Sequence, residues 1–402
     1  MERLLFISCC IPDEIEGEIT KYCRFSHNIH DAANTFQKSI IHGFVENNTL
    51  VEVVSAPSLP SFPIGYKRDY IPNLHTMIEG KVPCDILPYR TFMLGKYADI
   101  ERRLVQYVSN WIKTHSNDEL TIVAYNINAA FMSALKKIKM LFPNVQTALI
   151  VTDMIEDAMN FKANRNLLKR IQLYLHKRDV VASYQFINKY ILLSEHMKER
   201  LPNCKENYIV VEGIYTPQNI TSYNEKQKVI FYSGALDTFV NVPEMLEAFK
   251  QLKRKDYRLV ICGGGPLASF VENEANKNEN IEFLGSIARK DVLEWQCKSS
   301  LLINPRQPSE ITKYSFPSKT MEYFASGTPV LMYRLQGIPD EYYSYCYTIE
   351  DTSVEELKNC MGEILDIGDQ ERNALGKKAK DFIFNNKTSK LQVSKILDFL
   401  RL

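Results

Sequence analysis

The chain has 402 residues, 45% hydrophobic and 24% charged, an ordinary composition for a globular protein of two or three domains. Lysine and arginine number 49 against 48 aspartates and glutamates, for a net charge of +1. This balance argues against a general binder of duplex DNA, and we expect no nucleic-acid partner. The nine cysteines include no CxxC pair, which excludes a zinc ribbon and a thioredoxin-like motif.

The apolar run within residues 1–8 is shorter than that of a signal peptide, and a proline and acids follow it at once. No stretch approaches the roughly 20 apolar residues that a membrane span requires. The sequence therefore predicts a cytoplasmic protein.

Short aliphatic runs alternate with segments of helical period, a pattern typical of βαβ units and parallel sheets. In the first half the predicted strands are Leu4–Ser8, Leu50–Ser55, Thr121–Tyr125, Ala148–Thr152, Tyr190–Ser194 and Tyr208–Glu212. The clearest helices between them are Ala98–Thr114 and Ala129–Leu141.

A polar connection over residues 213–228 separates this half from a second alternation. Its predicted strands are Val229–Tyr232, Arg258–Cys262, Ile281–Leu284, Leu301–Asn304 and Pro329–Tyr333, and its helices are Val242–Leu252, a segment after Pro266, Arg289–Lys298 and Ser318–Ala325. The segments Val354–Leu365 and Glu371–Leu402 are predicted to be helical throughout. We expect an α/β fold with two doubly wound, Rossmann-like domains, 1–215 and 216–375, facing across a cleft, and a closing C-terminal helix, 376–402, that packs back on the first domain.

A short helix that opens near Pro317 follows the strand ending at Asn304. The free amides at Ser318 and Lys319 would suit a phosphate group, and Glu322, one turn later on the same face, could accept hydrogen bonds from a ribose diol. The alternative is a capped surface helix with a solvated Glu322. The position of the helix at the carboxyl edge of a parallel sheet favours the ligand interpretation.

Small residues also follow three neighbouring strands of this second half. They are Gly234, Gly264, Gly265, Gly285 and Ser286. Glycine lets the backbone approach a ligand closely, although each loop alone could be just a tight turn. Together they predict a binding crevice along one edge of the sheet.

These residues resemble the nucleotide-sugar-binding domain of the retaining family 4 glycosyltransferases, which have the GT-B architecture. The resemblance covers about Val229 to Met332 and is carried by Tyr232-Ser233-Gly234, Ile261–Pro266, Glu282–Gly285, Phe316–Tyr323 and Gly327–Val330. It implies a nucleoside-diphosphate sugar donor, no metal and no other cofactor, and Glu322 on the donor ribose. The motif Phe316-Pro317-Ser318-Lys319 resembles the one found in the branch of this family that builds bacterial surface polysaccharides.

Two features depart from the family pattern. The family usually has a glutamate eight positions before the ribose glutamate, and that position is Tyr314 here, so Glu310 is the candidate to compensate at the donor sugar. The basic pair that usually follows the first glycine loop is absent from residues 236–241. Arg306 and Lys319 are therefore the candidates for the cation that meets the diphosphate, with Pro317 beside them.

The resemblance places the acceptor in the first domain. Asp153 ends the strand Leu149–Thr152, where the family's acceptor-side catalytic residue tends to lie, and could hydrogen-bond the attacking hydroxyl. The alternative role is a helix N-cap. Residues 162–178 mix apolar and basic side chains, so either a surface helix or peripheral contact with the inner face of the plasma membrane is compatible with them. His27 and His30 have no third ligand nearby, which disfavours a metal site.

These observations predict a transferase that moves a hexose-type sugar to a hydroxyl of a glycan or lipid-linked glycan, in surface polysaccharide biosynthesis. Asp153, Arg306 and Lys319 are its candidate catalytic residues. A non-catalytic subunit that binds nucleotide sugars and a nucleotide-sugar epimerase are the alternatives.

Overall fold

The computed structural model describes residues 2–24, 31–154, 176–218 and 225–401. It divides into two compact units. Unit 1 comprises Met1–Ile214 and Ser389–Leu402, and unit 2 comprises Tyr215–Thr388. Each unit has a parallel sheet with helices, so the predicted α/β class with two Rossmann-like domains is confirmed. His27, His30 and residues 162–175 lie outside the described residues.

Unit 1 is built on an eight-stranded sheet whose central strands are almost wholly apolar. Its strands, with the separate pair β3 and β6, are β1 (Glu2–Ser8), β2 (Val51–Ser55), β3 (Tyr70–Ile71), β4 (Leu74–Ile78), β5 (Val82–Ile86), β6 (Tyr89–Arg90), β7 (Glu119–Tyr125), β8 (Gln146–Val151), β9 (Lys189–Leu192) and β10 (Tyr208–Val210). The order is β10-β9-β8-β7-β1-β2-β5-β4, parallel except for β4. Because helices cover parallel sheets on both faces, strands such as β1 are buried along most of their length.

The helices of unit 1 are α1 (Asp13–Thr20), α2 (Asp31–Glu46), α3 (Lys96–Thr114), α4 (Ala129–Leu141) and the C-terminal helix (Ser389–Leu400), with helical residues 176–183 and 3₁₀ turns at Tyr184–Phe186 and Glu195–Arg200. The C-terminal helix packs on α2. The two backbones meet at Gly43, where an added Cβ would lie 2.3 Å from Cγ2 of Val393.

Unit 2 has a six-stranded parallel sheet in the order β13-β12-β11-β14-β15-β16. Its strands are β11 (Gln227–Ser233), β12 (Arg258–Cys262), β13 (Ile281–Phe283), β14 (Ser299–Asn304), β15 (Val330–Tyr333) and β16 (Tyr347–Ile349). Its helices are α5 (Val242–Leu252), α6 (Ala268–Asn276), α7 (Arg289–Lys298), α8 (Glu310–Lys313), α9 (Lys319–Ala325), α10 (Val354–Asp366) and α11 (Asp369–Asn386), with 3₁₀ turns at Thr238–Val240 and Asp340–Tyr345. The C-terminal helix of unit 1 is α12 in this numbering.

Each sheet has one place where the chain reverses its direction of winding. In unit 1 the chain runs from β1 to β2 on one side, and β7 then pairs with the other side of β1. In unit 2 the corresponding pair is β11 and β14. Open α/β sheets bind ligands in the crevice outside the carboxyl ends of the strands at this switch point. The fold therefore predicts a ligand site in unit 1 at the residues after β1 and β7, and a ligand site in unit 2 at the residues after β11 and β14.

The structure adds several elements to the sequence prediction, among them β16, α1 and α2, and differs from it most in one region and at one boundary. The region from residue 56 to 95 contains β3 to β6, which were not predicted. β3 and β6 have only two residues each, and β5 contains Pro83, a residue that argues against a strand in a sequence. The predicted boundary between residues 375 and 376 falls inside α11, whereas the structure divides between Thr388 and Ser389.

Candidate functional site

Three glycine-containing loops lie side by side at the carboxyl edge of the unit 2 sheet. The amide of Gly234 donates to the carbonyl of Cys262 at 3.0 Å, and the amide of Gly263 donates to Gly285 at 2.9 Å. Gly263 and Gly265 have φ of +147° and +151°, which side chains rarely adopt. A Cβ on Gly263 would lie 1.8 Å from the carbonyl oxygen of Gly234. Close packing between the loops therefore requires these two glycines.

Gly264 differs from its neighbours because its Cβ position is almost free, with only the Ser286 hydroxyl at 3.0 Å. We expect Gly263→Ala to lower the free energy of unfolding by about 3 kcal/mol or more, through the clash and the unfavourable φ. Gly264→Ala should change it by less than about 1 kcal/mol. Urea denaturation of both variants tests this difference, and equal losses would contradict it.

Helix α9 is anchored to the end of β11 through a buried tyrosine. The hydroxyl of Tyr323 accepts a hydrogen bond from the amide of Ser233 at 2.8 Å and donates to the carbonyl of the same residue at 3.2 Å. Because both residues are buried, this pairing satisfies backbone groups at the switch point. It also fixes the orientation of α9 and therefore of Glu322, the residue before Tyr323.

Glu322 lies between two cations. Its carboxylate contacts Nζ of Lys319 and a guanidinium nitrogen of Arg289, each at 2.8 Å. Burial acts to raise the pKa of Glu322, but the two cations outweigh it and hold that pKa below its usual 4.5. The carboxylate is therefore ionised at neutral pH and retains lone pairs for further hydroxyl donors. Sequence reasoning missed Arg289, whose only signal is its position at the start of α7, the helix that follows β13.

Arg306 follows β14, directly at the switch point of unit 2. Its Nε is buried and has no hydrogen-bond partner, and its guanidinium forms no ion pair with the carboxylates that the structure describes. Burial lowers the pKa of Arg306, and the neighbouring Tyr232 phenol opposes this effect. A largely buried cation without a carboxylate partner is costly for the fold, and an anionic ligand would satisfy it.

The loop that carries Arg306 is braced by an amide pair. Nδ2 of Asn241 donates to Oε1 of Gln307 at 3.1 Å, and the amide of Gln307 donates back to Oδ1 of Asn241 at 3.3 Å. This pair joins the loop after β11 to the loop after β14. The sequence did not single out either residue, because their contact depends on the order of strands in the sheet.

The remaining predicted donor residues lie on the loop between β14 and α9. Ser309 caps α8, and Glu310 occupies the exposed first turn of that helix. Tyr314, which stands at the position of the family's first glutamate, is only 5% exposed. Pro317 and Ser318 precede α9, which begins at Lys319, two residues later than Pro317.

The switch point of unit 1 contains a pocket of about 240 Å³. Its lining combines polar and apolar surface and comprises Cys9, Ile11, Ala33, Asn34, Gln37, Ser58, Tyr125, Asn126, Ile127, Asn128 and Asp153. Two of these side chains hold the backbone around the pocket. Gln37 accepts a hydrogen bond from the Ser8 hydroxyl at the end of β1, at 2.9 Å, and Asn128 caps the start of α4.

Asp153 lies on the wall of this pocket. Its Oδ2 accepts hydrogen bonds from Nδ2 of Asn126 at 3.2 Å and from the Thr152 hydroxyl at 3.0 Å. These bonds orient the carboxylate and leave Oδ1 for another donor. The alternative role as a helix cap concerns residues from 155 onward, which are outside the described part of the chain.

Within the described ranges, no group of three or more His, Cys, Asp or Glu side chains could hold a metal ion. In the same ranges, no helix is both long and apolar enough to cross a membrane.

Residues 217–382 match the family model described as "Glycosyl transferases group 1". A search of curated proteins gives no significant match. Among solved structures, the chain is similar to sucrose-phosphate synthase from Thermosynechococcus elongatus, with a TM-score of 0.67, 12% identity and coverage of 99% of this chain and 98% of that one. It is also similar to Alr3699/HepE of Anabaena in complex with UDP, with a TM-score of 0.64, 11% identity and 99% coverage of both chains.

The lipopolysaccharide outer core galactosyltransferase WaaB is a further neighbour, with a TM-score of 0.61, 12% identity and coverage of 100% of this chain and 99% of that one. At these identities the similarity shows the GT-B fold. The family match, which includes the stretch from Val229 to Met332, adds the class of protein: the chain is a glycosyltransferase, as the sequence predicted.

Proposed function

We propose that the chain transfers a hexose-type sugar from a nucleoside diphosphate to a hydroxyl of a glycan or lipid-linked glycan, in surface polysaccharide biosynthesis. The observation that carries the donor assignment is the unpaired, largely buried Arg306 at the same sheet edge as the Glu322 carboxylate. A nucleoside diphosphate has a group for each of them: its diphosphate can pair with Arg306, and its ribose diol can donate hydrogen bonds to Glu322.

In this proposal Glu322 accepts hydrogen bonds from the two ribose hydroxyls. Lys319 and Arg289 keep it ionised and hold its orientation. Arg306 meets the diphosphate, because the charge of Lys319 is already engaged by Glu322 while that of Arg306 is not. The glycine loops after β11 and β12 would border the same ligand.

The transfer follows from these roles. The acceptor oxygen bonds to the anomeric carbon as the bond from that carbon to the diphosphate oxygen breaks, and the acceptor proton passes to the departing diphosphate. Arg306 stabilises the negative charge that develops on the leaving group. Asp153 holds the acceptor hydroxyl and stabilises positive charge on the sugar ring. Retention of configuration and independence from metal ions rest on the family resemblance.

Donor binding is tested by thermal shift with UDP, GDP, CMP, ADP and dTDP, each with and without magnesium. A ligand that binds only the folded state raises the melting temperature. We expect a metal-independent rise with one diphosphate, and its loss in Glu322→Ala. No rise with any nucleotide would overturn the donor assignment.

Asp153 provides a prediction for the acceptor side. Asp153→Asn keeps the size of the side chain but removes its charge, so transfer should slow by a factor on the order of 100 or more, with donor affinity unchanged. Asp13→Asn, which changes an exposed carboxylate of unit 1, is the matched control and should leave transfer intact. A normal transfer rate in Asp153→Asn would limit this residue to a structural role.

The tyrosine at position 314 keeps a non-catalytic nucleotide-sugar-binding subunit as the second candidate. The two functions separate in one assay with labelled donor: a binding subunit retains the donor without turnover, and an epimerase would convert it when no acceptor is present.

A further inference from the structure

Unit 1 exposes a cluster of apolar side chains in the segment that runs from the end of β2 to the first turn of α3. Ile64 is 77% exposed and Leu94 is 79% exposed, and Phe92, Met93 and Tyr97 are also exposed. We refer to these five residues as the hydrophobic patch. Single exposed apolar residues are normal on a protein surface, but a cluster of large ones marks an interaction site.

The fold holds the two segments of the patch together. The amide of Phe62 donates to the carbonyl of Thr91 at 3.1 Å, and the rings of Phe62 and Phe92 meet edge to face at 5.2 Å. The Thr91 hydroxyl donates to the carbonyl of Arg68 at 2.6 Å. The apolar side chains therefore project from a hydrogen-bonded framework.

Exposed cations accompany the patch on the same segments and on the chain that packs beside them. They are Lys21, Arg24, Lys67, Arg68 and Arg90. Arg24 is bonded to the carbonyl of Pro63 at 3.0 Å, and the amide of Lys67 donates to the carbonyl of Tyr22 at 2.9 Å. None of the five forms an ion pair with a carboxylate in the described part of the chain. The acids on these segments are Asp69, the exposed Glu18 at the end of α1, and Asp99.

Asp99 is already neutralised by Arg102 and Arg103, at 2.7 Å and 3.2 Å. The surface therefore combines protruding apolar groups with a surplus of unpaired positive charge. A second copy of this surface would bring like charges together, which disfavours self-association.

We propose that the hydrophobic patch docks on a lipid bilayer that contains anionic phospholipids. The apolar side chains enter the headgroup region, and the cations pair with lipid phosphates. This goes beyond the transfer reaction and does not depend on donor binding. The end of the segment 162–178 that the structure describes lies beside this surface, since the ring of His176 packs against Tyr97 at a centroid distance of 4.8 Å.

The test is sedimentation of the full chain with phosphatidylcholine vesicles, alone or mixed with phosphatidylglycerol. We expect binding to the mixed vesicles only, weakening as salt rises. Ile64→Asp/Leu94→Asp should abolish it, and Lys67→Gln/Arg90→Gln should weaken it about 25-fold, at roughly fivefold for each cation. All four side chains are exposed, so both double variants should fold.

Matched controls separate the patch from general effects. Met140→Asp changes an exposed apolar residue elsewhere on unit 1, and Lys205→Gln/Lys255→Gln removes two other exposed cations. Both should bind vesicles as the parent chain does. Absence of binding by the parent chain, equal binding to both kinds of vesicle, or equal losses in patch and control variants would overturn the proposal. The nucleotide thermal shift of each variant reports separately on the donor site.

Discussion

Glu322→Ala should weaken donor binding by about 1–3 kcal/mol, a five- to 150-fold rise in Kd, because two ribose hydrogen bonds to a buried carboxylate are lost. The fold should survive, because Lys319 and Arg289 are partly exposed and can be hydrated once the carboxylate is gone. Isothermal titration with the nucleotide that the thermal-shift screen identifies measures the change.

Glu282→Ala is the matched control, since Glu282 is a carboxylate of unit 2 that pairs with an arginine, Arg258, at 2.7 Å. It should leave the Kd unchanged. An unchanged Kd in Glu322→Ala would remove the ribose role.

The same residue gives a pH dependence. The folded-state pKa of Glu322 is lowered, so the stability that its ion pairs provide is complete above the usual value of 4.5. It is lost as the pH falls below that value toward the folded pKa. We therefore expect no loss of donor affinity from Glu322 between pH 8 and about pH 5.

Arg306→Met should have opposite effects on binding and on stability. Donor affinity should fall about 10- to 100-fold, because charge-assisted hydrogen bonds to the diphosphate are lost. The free energy of unfolding should stay the same or rise by about 1 kcal/mol, because a largely buried charge without a carboxylate partner is removed. Titration and urea denaturation on the same preparation measure both.

Arg334→Met is the control for this variant, because Arg334 is half exposed and pairs with Glu350. It should leave donor affinity unchanged. A marked loss of stability in Arg306→Met would show that the guanidinium supports the fold. That result would contradict the interpretation that its charge is left unpaired for the diphosphate.

The sequence predicted the sheets and the face of α9 well, because both depend on local patterns. Buried strands such as β12 are apolar after their first residue, and the spacing of Ser318 and Glu322 defines one helix face. The partners of Glu322 were only half predictable. Lys319 is one turn away in sequence, whereas Arg289 reaches the same carboxylate from the start of another helix, α7.

The acceptor side shows the same limit. Asp153 was recognisable from its position after a strand, but Asn126, which orients it, directly follows the neighbouring strand β7 and becomes its partner only in the folded sheet. The lack of a carboxylate partner for Arg306 is also a property of the tertiary structure. A sequence shows which charges exist, and only the packing shows which of them are left unsatisfied.

The return of α12 to unit 1 has a consequence for how this chain can be divided. Val393 and Ile396 are buried, and Gly43 of α2 leaves no room for a side chain against α12. In linear terms unit 2 is an insertion into unit 1, between Ile214 and Ser389. A fragment 215–388 is one continuous stretch, whereas any fragment of unit 1 must join two distant pieces of the gene, because cutting after residue 214 would strip α2 of its neighbour.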